Sequence, residues 1–475
     1  MGSTDRTASY TSGDNSTQLV FRYTIQAGET DSNGISIGAN ALALNSSTIR
    51  DAALNNAILT LIARSHDDDY IVDTTPPTIS SVAITSATNK QYDFVNATDV
   101  VSVTATFSEM FPSDVIVDNA SGNPTIPMVV GSDNRPAAYT SGSNTNASGS
   151  ASLVFKYTIQ SGDTDTNGIS IRQDVLALNN GTIMDRAGNF ATDLTHSAVP
   201  DNSSVKVDTI PPAVDNFTIS DTEFKIGDNA TVTLVFSEPI CGDNATSGCS
   251  RTQTGGVDFS NADITIPNLD NNTPSGTLST MTSDDNRTWI GIFTPTPNAE
   301  DDNNTLSLAT SYTDLAGNNG PDNQTENYEI DTLAPTVSVA ITDAEGIQNS
   351  FLNAGDNVSV TATFREAVIV DNSSGNPIIT LAVGSDNRTA TYASGDNSTA
   401  LVLRYTILAE DTDSNGISIR ADVLDDNGST IRDRAGNIAT DFTHSAVSDN
   451  SSYIVDNIPP TVRSVSITCL LYTSD

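Results

Sequence analysis

The chain has 475 residues, with 59 Asp and Glu side chains against 20 Lys and Arg side chains, so its formal net charge is −39. A surface this acidic repels nucleic acid and anionic lipid, which argues against both as partners, while it suits solubility and cation binding. No apolar run of about 18 residues occurs, so the sequence predicts no membrane-spanning helix. The length is that of about three or four β domains rather than one.

Strands and turns, rather than helices, are predicted along the whole chain. Short runs rich in Val, Ile, Thr and Tyr alternate with clusters of Ser, Asn, Asp and Gly. The first group favours strands and the second favours turns. No long stretch repeats its apolar residues with helical periodicity. The sequence therefore predicts an all-β protein.

A repeated block that ends in proline divides the chain. It consists of a short strand, an Asp and one or two prolines, and proline ends a strand because it cannot donate to the ladder. The four copies are YIVDTTPP (70–77), VKVDTIPP (205–212), YEIDTLAP (328–335) and YIVDNIPP (453–460). Each copy is predicted to be the last strand of one unit followed by a short, stiff hinge.

The hinges predict four units arranged as beads on a string. The first unit covers residues 1–74 and is truncated, the second covers 75–209, the third 210–332 and the fourth 333–457. A unit of this size is much longer than a solenoid repeat, so each is expected to have its own core.

Both ends of the sequence interrupt the repeat. Residues 2–13 (GSTDRTASYTSG) match residues 384–395 (GSDNRTATYASG), so the first unit is interpreted as starting within a repeat. Residues 458–475 begin a further repeat, but 469–475 (CLLYTSD) resemble a translated sequencing adapter and are interpreted as an artefact. The chain is thus expected to be a fragment that lacks both ends, which leaves targeting signals unaddressed.

The apolar pattern inside the fourth unit predicts the packing of its strands. In 358–364 (VSVTATF) every second residue is apolar, and in 401–407 (LVLRYTI) Arg404 points away from the side of Leu403 and Tyr405. About seven or eight such strands separated by turns predict an antiparallel sandwich of immunoglobulin type. The second unit repeats this pattern closely. The third is a variant, in which Trp289 alternates with Gly291 and Phe293 and is predicted to be a core residue rather than a ligand-stacking one.

Several motifs resemble bacterial immunoglobulin-like repeats, which fill large secreted or surface-anchored adhesins. The motifs are VSVTATF, FSE at 107–109 and 236–238, DRAGN at 185–189 and 433–437, and the hinge block. The resemblance covers nearly the whole chain and implies an extracellular or cell-surface location. Two residues depart from the pattern. Leu54 replaces the glycine of the DRAGN turn, which casts doubt on that turn, and Arg365 replaces the serine of FSE.

One candidate calcium site is a loop inside the repeat. Residues 163–174 (DTDTNGISIRQD) and 411–422 (DTDSNGISIRAD) carry oxygen side chains at positions 1, 3, 5 and 12 and Gly at position 6, the spacing of a calcium loop. The alternative is a hairpin turn, which Asn-Gly favours strongly. The candidate ligands are Asp163, Asp165, Asn167, Asp174, Asp411, Asp413, Asn415 and Asp422, with a weaker set of Glu29, Asp31, Asn33 and Asn40 in the first unit.

A second candidate site lies where units meet. If the strand ends gather at the junction, their carboxylates could share a calcium ion that stiffens the hinge; cadherin-like repeats offer an analogy. The alternative is that each Asp caps a turn or is simply solvated. The candidates are the hinge residues Asp73, Asp208, Asp331 and Asp456, the strand-end residues Glu109, Glu238 and Glu366, and the loop residues Asp51, Asp185, Asp314 and Asp433.

Cysteine and histidine point to structural roles. Cys241 and Cys249 flank a short polar loop and either form a disulfide or remain two free thiols; export would favour the disulfide. The three histidines are His66, His196 and His444, and the last two occupy the same position in a THSAV sequence. Repeat spacing keeps them apart, so no catalytic set is expected and the chain is predicted not to be an enzyme.

The sequence as a whole predicts an extender that holds a distal binding module away from a bacterial cell. The target of such an adhesin, a cell-surface glycan or protein, would then be bound by regions outside this chain. Two alternatives remain open: the units themselves could bind a glycan or protein, or they could be an accessory region of a secreted hydrolase.

Overall fold

A computed structural model describes residues 2–108, 115–142, 150–242, 258–270 and 272–467. The regular structure in those ranges consists of short β-strands and one 3-10 helix, Asn261–Asp263. None of these residues belongs to a helix long and apolar enough to cross a membrane.

The first unit contains two small antiparallel pairs. The strands are β1 (Ser9–Ser12), β2 (Val20–Arg22), β3 (Ile35–Ile37) and β4 (Arg64–Asp67). β1 pairs with β2 and β3 pairs with β4. Among its described residues, Val72 in the hinge block is the one buried hydrophobic side chain. The expectation that each unit has its own core is therefore wrong for this unit.

The second unit is a sandwich of a five-stranded sheet against smaller sheets. Its strands are β5 (Thr78–Ala87), β6 (Phe94–Val95), β7 (Val100–Ser108), β8 (Val115–Asp118), β9 (Thr125–Val130), β10 (Asp133–Gly142), β11 (Ser150–Thr158), β12 (Thr164–Asp165), β13 (Thr182–Asp185) and β14 (Lys206–Asp208). The large sheet has the order β5-β7-β11-β10-β9, and the small sheets have the orders β12-β14-β6 and β13-β8. One hydrophobic core runs from Val95 to Val207.

The third unit has the same plan with fewer strands in its main sheet. Its strands are β15 (Val214–Ile219), β16 (Glu223–Phe224), β17 (Ala230–Phe236), β18 (Ile264–Thr265), β19 (Gly276–Leu278), β20 (Thr288–Pro295), β21 (Glu300–Asn304), β22 (Ser307–Leu308), β23 (Asn323–Gln324) and β24 (Tyr328–Asp331). The sheets have the orders β15-β17-β20-β19, β16-β24-β21 and β18-β22-β23. Trp289 is 1% exposed and its ring lies 5.0 Å from that of Phe259, so the prediction of a core residue is confirmed.

The fourth unit closely repeats the second. Its strands are β25 (Val337–Glu345), β26 (Phe351–Leu352), β27 (Asn357–Asp371), β28 (Ile378–Val383), β29 (Asp386–Ser394), β30 (Ser398–Thr406), β31 (Ser418–Asp425), β32 (Thr430–Arg432) and β33 (Ile454–Val455). The main sheet has the order β25-β27-β30-β29-β28-β31, β32 pairs with β27, and β26 pairs with β33. Its core runs from Leu352 to Val455.

The predicted alternation of apolar residues is confirmed in the central strands. In β27, Val358, Val360 and Ala362 are fully buried, and in β30 Leu403 is buried while Arg404 is exposed. The three core clusters each fall inside one of the predicted units.

The last strand of each of the later units pairs in parallel with a short strand near the start of the same unit. β14 pairs with β6, β24 with β16 and β33 with β26. This pairing holds in place the strand that leads into the hinge.

The alternation in β20 predicts very different effects for two neighbouring residues. Phe293 is fully buried and Ile292 is 44% exposed, so Phe293→Ala should destabilise the third unit by about 3–5 kcal/mol. Ile292→Ala should cost less than about 0.5 kcal/mol and is the control. Trp289 is the only tryptophan, so denaturation followed by its fluorescence reports on this unit alone. Equal losses for both variants would contradict the assigned faces.

Candidate metal sites at the unit junctions

An asparagine side chain links the second and third units. Asn318 Nδ2 donates to the backbone carbonyl of Asp208, in the hinge before the third unit, at 3.1 Å. The same nitrogen donates to the carboxylate of Asp314 at 2.8 Å. One amide group therefore holds the hinge of one unit against a loop of the next.

The same arrangement occurs at the other two junctions. Asn189 Nδ2 donates to the Asp73 carbonyl at 3.1 Å, and Asn437 Nδ2 donates to the Asp331 carbonyl at 2.8 Å. These asparagines are not among the candidate residues predicted from the sequence. The available signal was the Asn that follows the loop Asp by four residues in every unit.

The loop Asp forms the turn that presents this asparagine. In the third unit, Asp314 Oδ1 accepts hydrogen bonds from the backbone N–H of Ala316 and of Asn318, at 2.8 and 2.9 Å. Gly317 lies between these two with φ of +89°, a conformation in which a glycine pays no steric cost.

The first unit builds this turn without a glycine. Leu54 has φ of +67°, its N–H donates to the Asp51 carbonyl, and Asn55 N–H donates to the Asp51 carboxylate. The doubt that the leucine raised was therefore wrong. The hydrogen bonds to Asp51 hold the turn although a leucine is strained in this conformation.

Two junctions gather three carboxylates each. Asp208, Glu238 and Asp314 meet between the second and third units, and Asp331, Glu366 and Asp433 meet between the third and fourth units. In each group, one carboxylate oxygen of each residue lies within 4.8 Å of one oxygen of both others. These six residues are the hinge, strand-end and loop candidates predicted from the sequence, and the geometry brings them together. Glu366 does not end its strand as predicted, because β27 continues past it, through an irregular stretch of the pairing, to Asp371.

Burial and mutual repulsion raise the pKa of the strand-end glutamates. Desolvation and the nearby Asp208 and Asp314 raise the pKa of Glu238 to about 7, against which Arg287 acts weakly. The pKa of Glu366 is also raised to about 7, by desolvation and then by Asp331, Asp433 and Glu300, with Arg365 opposing.

One carboxylate of the third–fourth junction lacks a hydrogen-bond partner for part of its charge. Oε1 of Glu366 is buried and accepts no hydrogen bond. Two unit charges about 4.8 Å apart repel by about 3 kcal/mol at an effective dielectric constant of about 20. Either protons or an added cation would relieve this repulsion.

The remaining junction candidates are placed as follows. Asp73 Oδ2 is buried without a hydrogen-bond partner. Asp185 is also buried, and Asn189 joins the two residues because its Nδ2 donates both to the Asp73 carbonyl and to the Asp185 carboxylate. Glu109, the third member expected there, lies outside the described residues. Asp456, at the end of the fourth unit, lines a cleft of about 530 Å³ together with Asp413 and Asn415.

The first carboxylate of each DxDxNG loop has an arginine partner. Asp163 pairs with Arg135 at 2.6 Å and accepts a hydrogen bond from Tyr157 at 2.7 Å. Asp411 pairs with Arg388 at 2.7 Å and also bonds Tyr405. In the first unit Glu29 bonds Arg6 and Tyr23 in the same way. A guanidinium therefore already supplies the positive charge that a cation would bring there.

The other loop residues serve the backbone. Asp165 accepts hydrogen bonds from Gly131 and Gly168 N–H groups, both at 2.8 Å. Asp413 does the same with Gly384 and Gly416.

The last position of each loop also has a local partner. Asp174 accepts a hydrogen bond from His196 N–H, and Asp422 accepts one from His444 N–H. The asparagine at the fifth position is bonded as well, since Asn167 donates to Asp201 and Asn415 donates to Asp449. Among the described residues, no group of three carboxylates forms in these loops.

The repeated histidines have one structural role, as predicted. Nε2 of His196 accepts a hydrogen bond from Val175 N–H at 3.0 Å, and His444 accepts from Val423 N–H at 3.1 Å. Each ring bonds the next carbonyl through Nδ1. Cys241 is disulfide-bonded, whereas Cys249 lies outside the described residues.

The comparisons agree with the fold. Residues 249–330 match the family model described as bacterial Ig-like domain. This segment is most of the third unit, and the second and fourth units share its strand plan. The chain is therefore built of immunoglobulin-like β-sandwich domains, and the predicted fold class is confirmed. No curated protein sequence matched the chain significantly.

Similar solved structures include a cell adhesion molecule, the extracellular region of plexin A4 and a bacterial protein. An eight-Ig-domain segment of Down Syndrome Cell Adhesion Molecule is 10% identical with a TM-score of 0.20, and covers 79% of this chain and 37% of its own. The plexin A4 extracellular region is 11% identical with a TM-score of 0.16, covering 78% and 24%. Latent PorU of Porphyromonas gingivalis is 10% identical with a TM-score of 0.14, covering 85% and 36%. The chain thus spans well under half the length of each, and TM-scores this low support no conclusion about its fold or function.

The raised pKa of Glu238 predicts a pH dependence of the metal-free chain. Its ordinary value is 4.5 and its value in the folded unit is about 7, so the folded state binds the proton more tightly than the unfolded state. The free energy of unfolding of the third unit should therefore fall as the pH rises from about 4.5 to about 7. Denaturation at several pH values in chelator, followed by Trp289 fluorescence, measures this.

Glu238→Gln should reduce that pH dependence, because it removes the carboxyl whose pKa is raised to about 7. Asp215→Asn is the matched control, since Asp215 is an exposed carboxylate in β15 of the same unit. A slope that survives unchanged in Glu238→Gln would contradict the assignment.

The arginine partner of the DxDxNG loop predicts a stability effect that calcium does not repair. Asp411 is buried, and hydrogen bonds from Tyr405, Leu408 N–H and Arg388 outweigh desolvation and lower its pKa. Arg388→Met should therefore destabilise the fourth unit by about 3 kcal/mol, because it leaves a buried charge unpaired. Hydrogen exchange of fourth-unit peptides measures the loss, and Arg404→Met, at an exposed ion pair with Glu345, is the control. Full rescue by calcium would instead support a metal ion in this loop.

Proposed function

We propose that the chain is the extending spacer of a bacterial surface or secreted adhesin, and that calcium bound at the unit junctions stiffens it. The observation that carries this proposal is the repeated meeting of three carboxylates from two consecutive units. The hinge Asp comes from one unit, and the Glu and the loop Asp come from the next. A cation bound to all three would join the two units.

The ligand chemistry favours calcium. Carboxylate and carbonyl oxygens are hard ligands, and calcium accepts them in variable numbers and irregular geometry. The residues that would hold it are Asp208, Glu238 and Asp314 at one junction and Asp331, Glu366 and Asp433 at the next. In the sequence, Asp73, Glu109 and Asp185 occupy the corresponding repeat positions of the preceding junction.

The extracellular location is supported by cysteine chemistry and by charge. Cys241 is disulfide-bonded, and disulfides persist in oxidising compartments. An acidic surface also discourages exposed edge strands of neighbouring chains from pairing. The adhesion target would be a glycan or protein bound by other regions of the protein.

A spacer is favoured over a ligand-binding module by the position of the one tryptophan. Trp289 is 1% exposed, so it offers no flat aromatic surface on which a sugar ring could stack. The apolar residues Ile290 and Ile292 lie on the exposed face of β20 in the third unit.

Small-angle scattering with thermal melting tests the proposal on the full chain. In millimolar calcium the particle should be longer and should melt at a higher temperature than in chelator, because the ion links units and removes carboxylate repulsion. The double variant Glu238→Gln, Glu366→Gln should lose most of this response. The double variant Asp215→Asn, Asp343→Asn removes the same charge from exposed positions and should keep it. No response of the parent chain to calcium would refute the junction sites.

A further inference from the structure

An ion pair crosses the junction between the third and fourth units. The guanidinium of Arg365 contacts the carboxylate of Glu300. Glu300 lies directly opposite the hinge residue Asp331 in the β21–β24 pair, and Arg365 directly precedes Glu366 in β27. The pair therefore bridges the two units beside the carboxylate group of this junction.

Neutral residues occupy both positions at the preceding junction. Thr164 lies opposite Asp208, where Glu300 lies opposite Asp331. Ser237 follows Phe236, where Arg365 follows Phe364. The two charges are thus present together at one junction and replaced together at the other, as expected for residues that act as a pair.

A second contact reinforces the same junction. Oδ1 of Asn437 accepts a hydrogen bond from Ile226 N–H of the third unit at 2.7 Å, while its Nδ2 donates to the Asp331 carbonyl at 2.8 Å. Asn437 is 2% exposed. This asparagine therefore forms hydrogen bonds with two separate backbone segments of the third unit.

Arg365 also brings positive charge to the carboxylate group. It opposes the shifts that raise the pKa of Glu366 and of Asp331, although it is the weakest of the effects on each. Arg287 lies near Glu238 at the other junction, but its guanidinium donates to the Phe236 and Ser237 carbonyls of its own unit and so does not bridge units.

We propose that Arg365 acts as a built-in cation, so that the third–fourth junction keeps its geometry without metal while the second–third junction requires a bound cation. This inference deepens the proposed function and rests on it for the behaviour of the second–third junction. The third–fourth junction would then be fixed before any calcium binds, whereas the second–third junction would become fixed only when calcium binds.

Distance measurements between spin labels in the full chain test this inference. Labels on non-natural amino acids at Lys156, Thr277 and Thr391, all exposed strand positions, leave the Cys241 disulfide intact. In chelator, the 277–391 distances should be narrowly distributed and the 156–277 distances broadly distributed. Arg365→Ser introduces the residue that the third unit has at the corresponding position, Ser237. It should broaden the 277–391 distribution to the width of the 156–277 one and leave the latter unchanged.

The charge-swapped double variant Glu300→Arg, Arg365→Glu is the control for the pairing. It should restore the narrow 277–391 distribution, and high salt should broaden that distribution in the parent chain by screening the pair. An unchanged width in Arg365→Ser, or a swap as broad as the single variant, would overturn the inference. If calcium fails to narrow the 156–277 distances while Arg365→Ser still broadens the 277–391 ones, the proposed function falls and the role of Arg365 stands.

Discussion

Each junction depends on an asparagine amide that bonds the hinge carbonyl of one unit and the loop carboxylate of the next. The proline hinge restricts the chain that leads into the next unit, and the asparagine fixes how that unit sits against the strand. Because Asn318 and Asn437 hold the loop Asp beside the hinge, the carboxylates of both are brought to the strand-end Glu. The position of the charges is thus a consequence of the hydrogen bond.

Packing one unit on the next buries carboxylates whose negative charges are unfavourable when they are buried. Three carboxylates at the edge of a unit interface are close enough to repel, and desolvation makes the repulsion larger. The raised pKa values of Glu238 and Glu366 express that conflict. The two junctions offer different solutions, because only the third–fourth junction has the Arg365–Glu300 pair across it.

The DxDxNG loops illustrate how the same ligand pattern can serve another purpose. The spacing of their oxygen side chains predicts a calcium loop, yet Arg135 and Arg388 from a neighbouring strand neutralise the first carboxylate. The second carboxylate binds backbone N–H groups of Gly131 and Gly168, or of Gly384 and Gly416. An ion pair between a loop residue and an arginine of an earlier strand cannot be read from the spacing inside that loop.

The sequence by itself determined the fold class and the candidates at the junctions. Alternation of apolar residues fixes which side of β27 or β30 is buried, and proline fixes where a strand ends, since both are local effects. The tertiary structure decided which candidates meet. Asp208 and Asp314 are 106 residues apart in the chain, so their approach depends on the packing of one unit on the next. The same holds for Glu300 and Arg365, which acquire a joint role only because two separate sandwiches place them on facing surfaces.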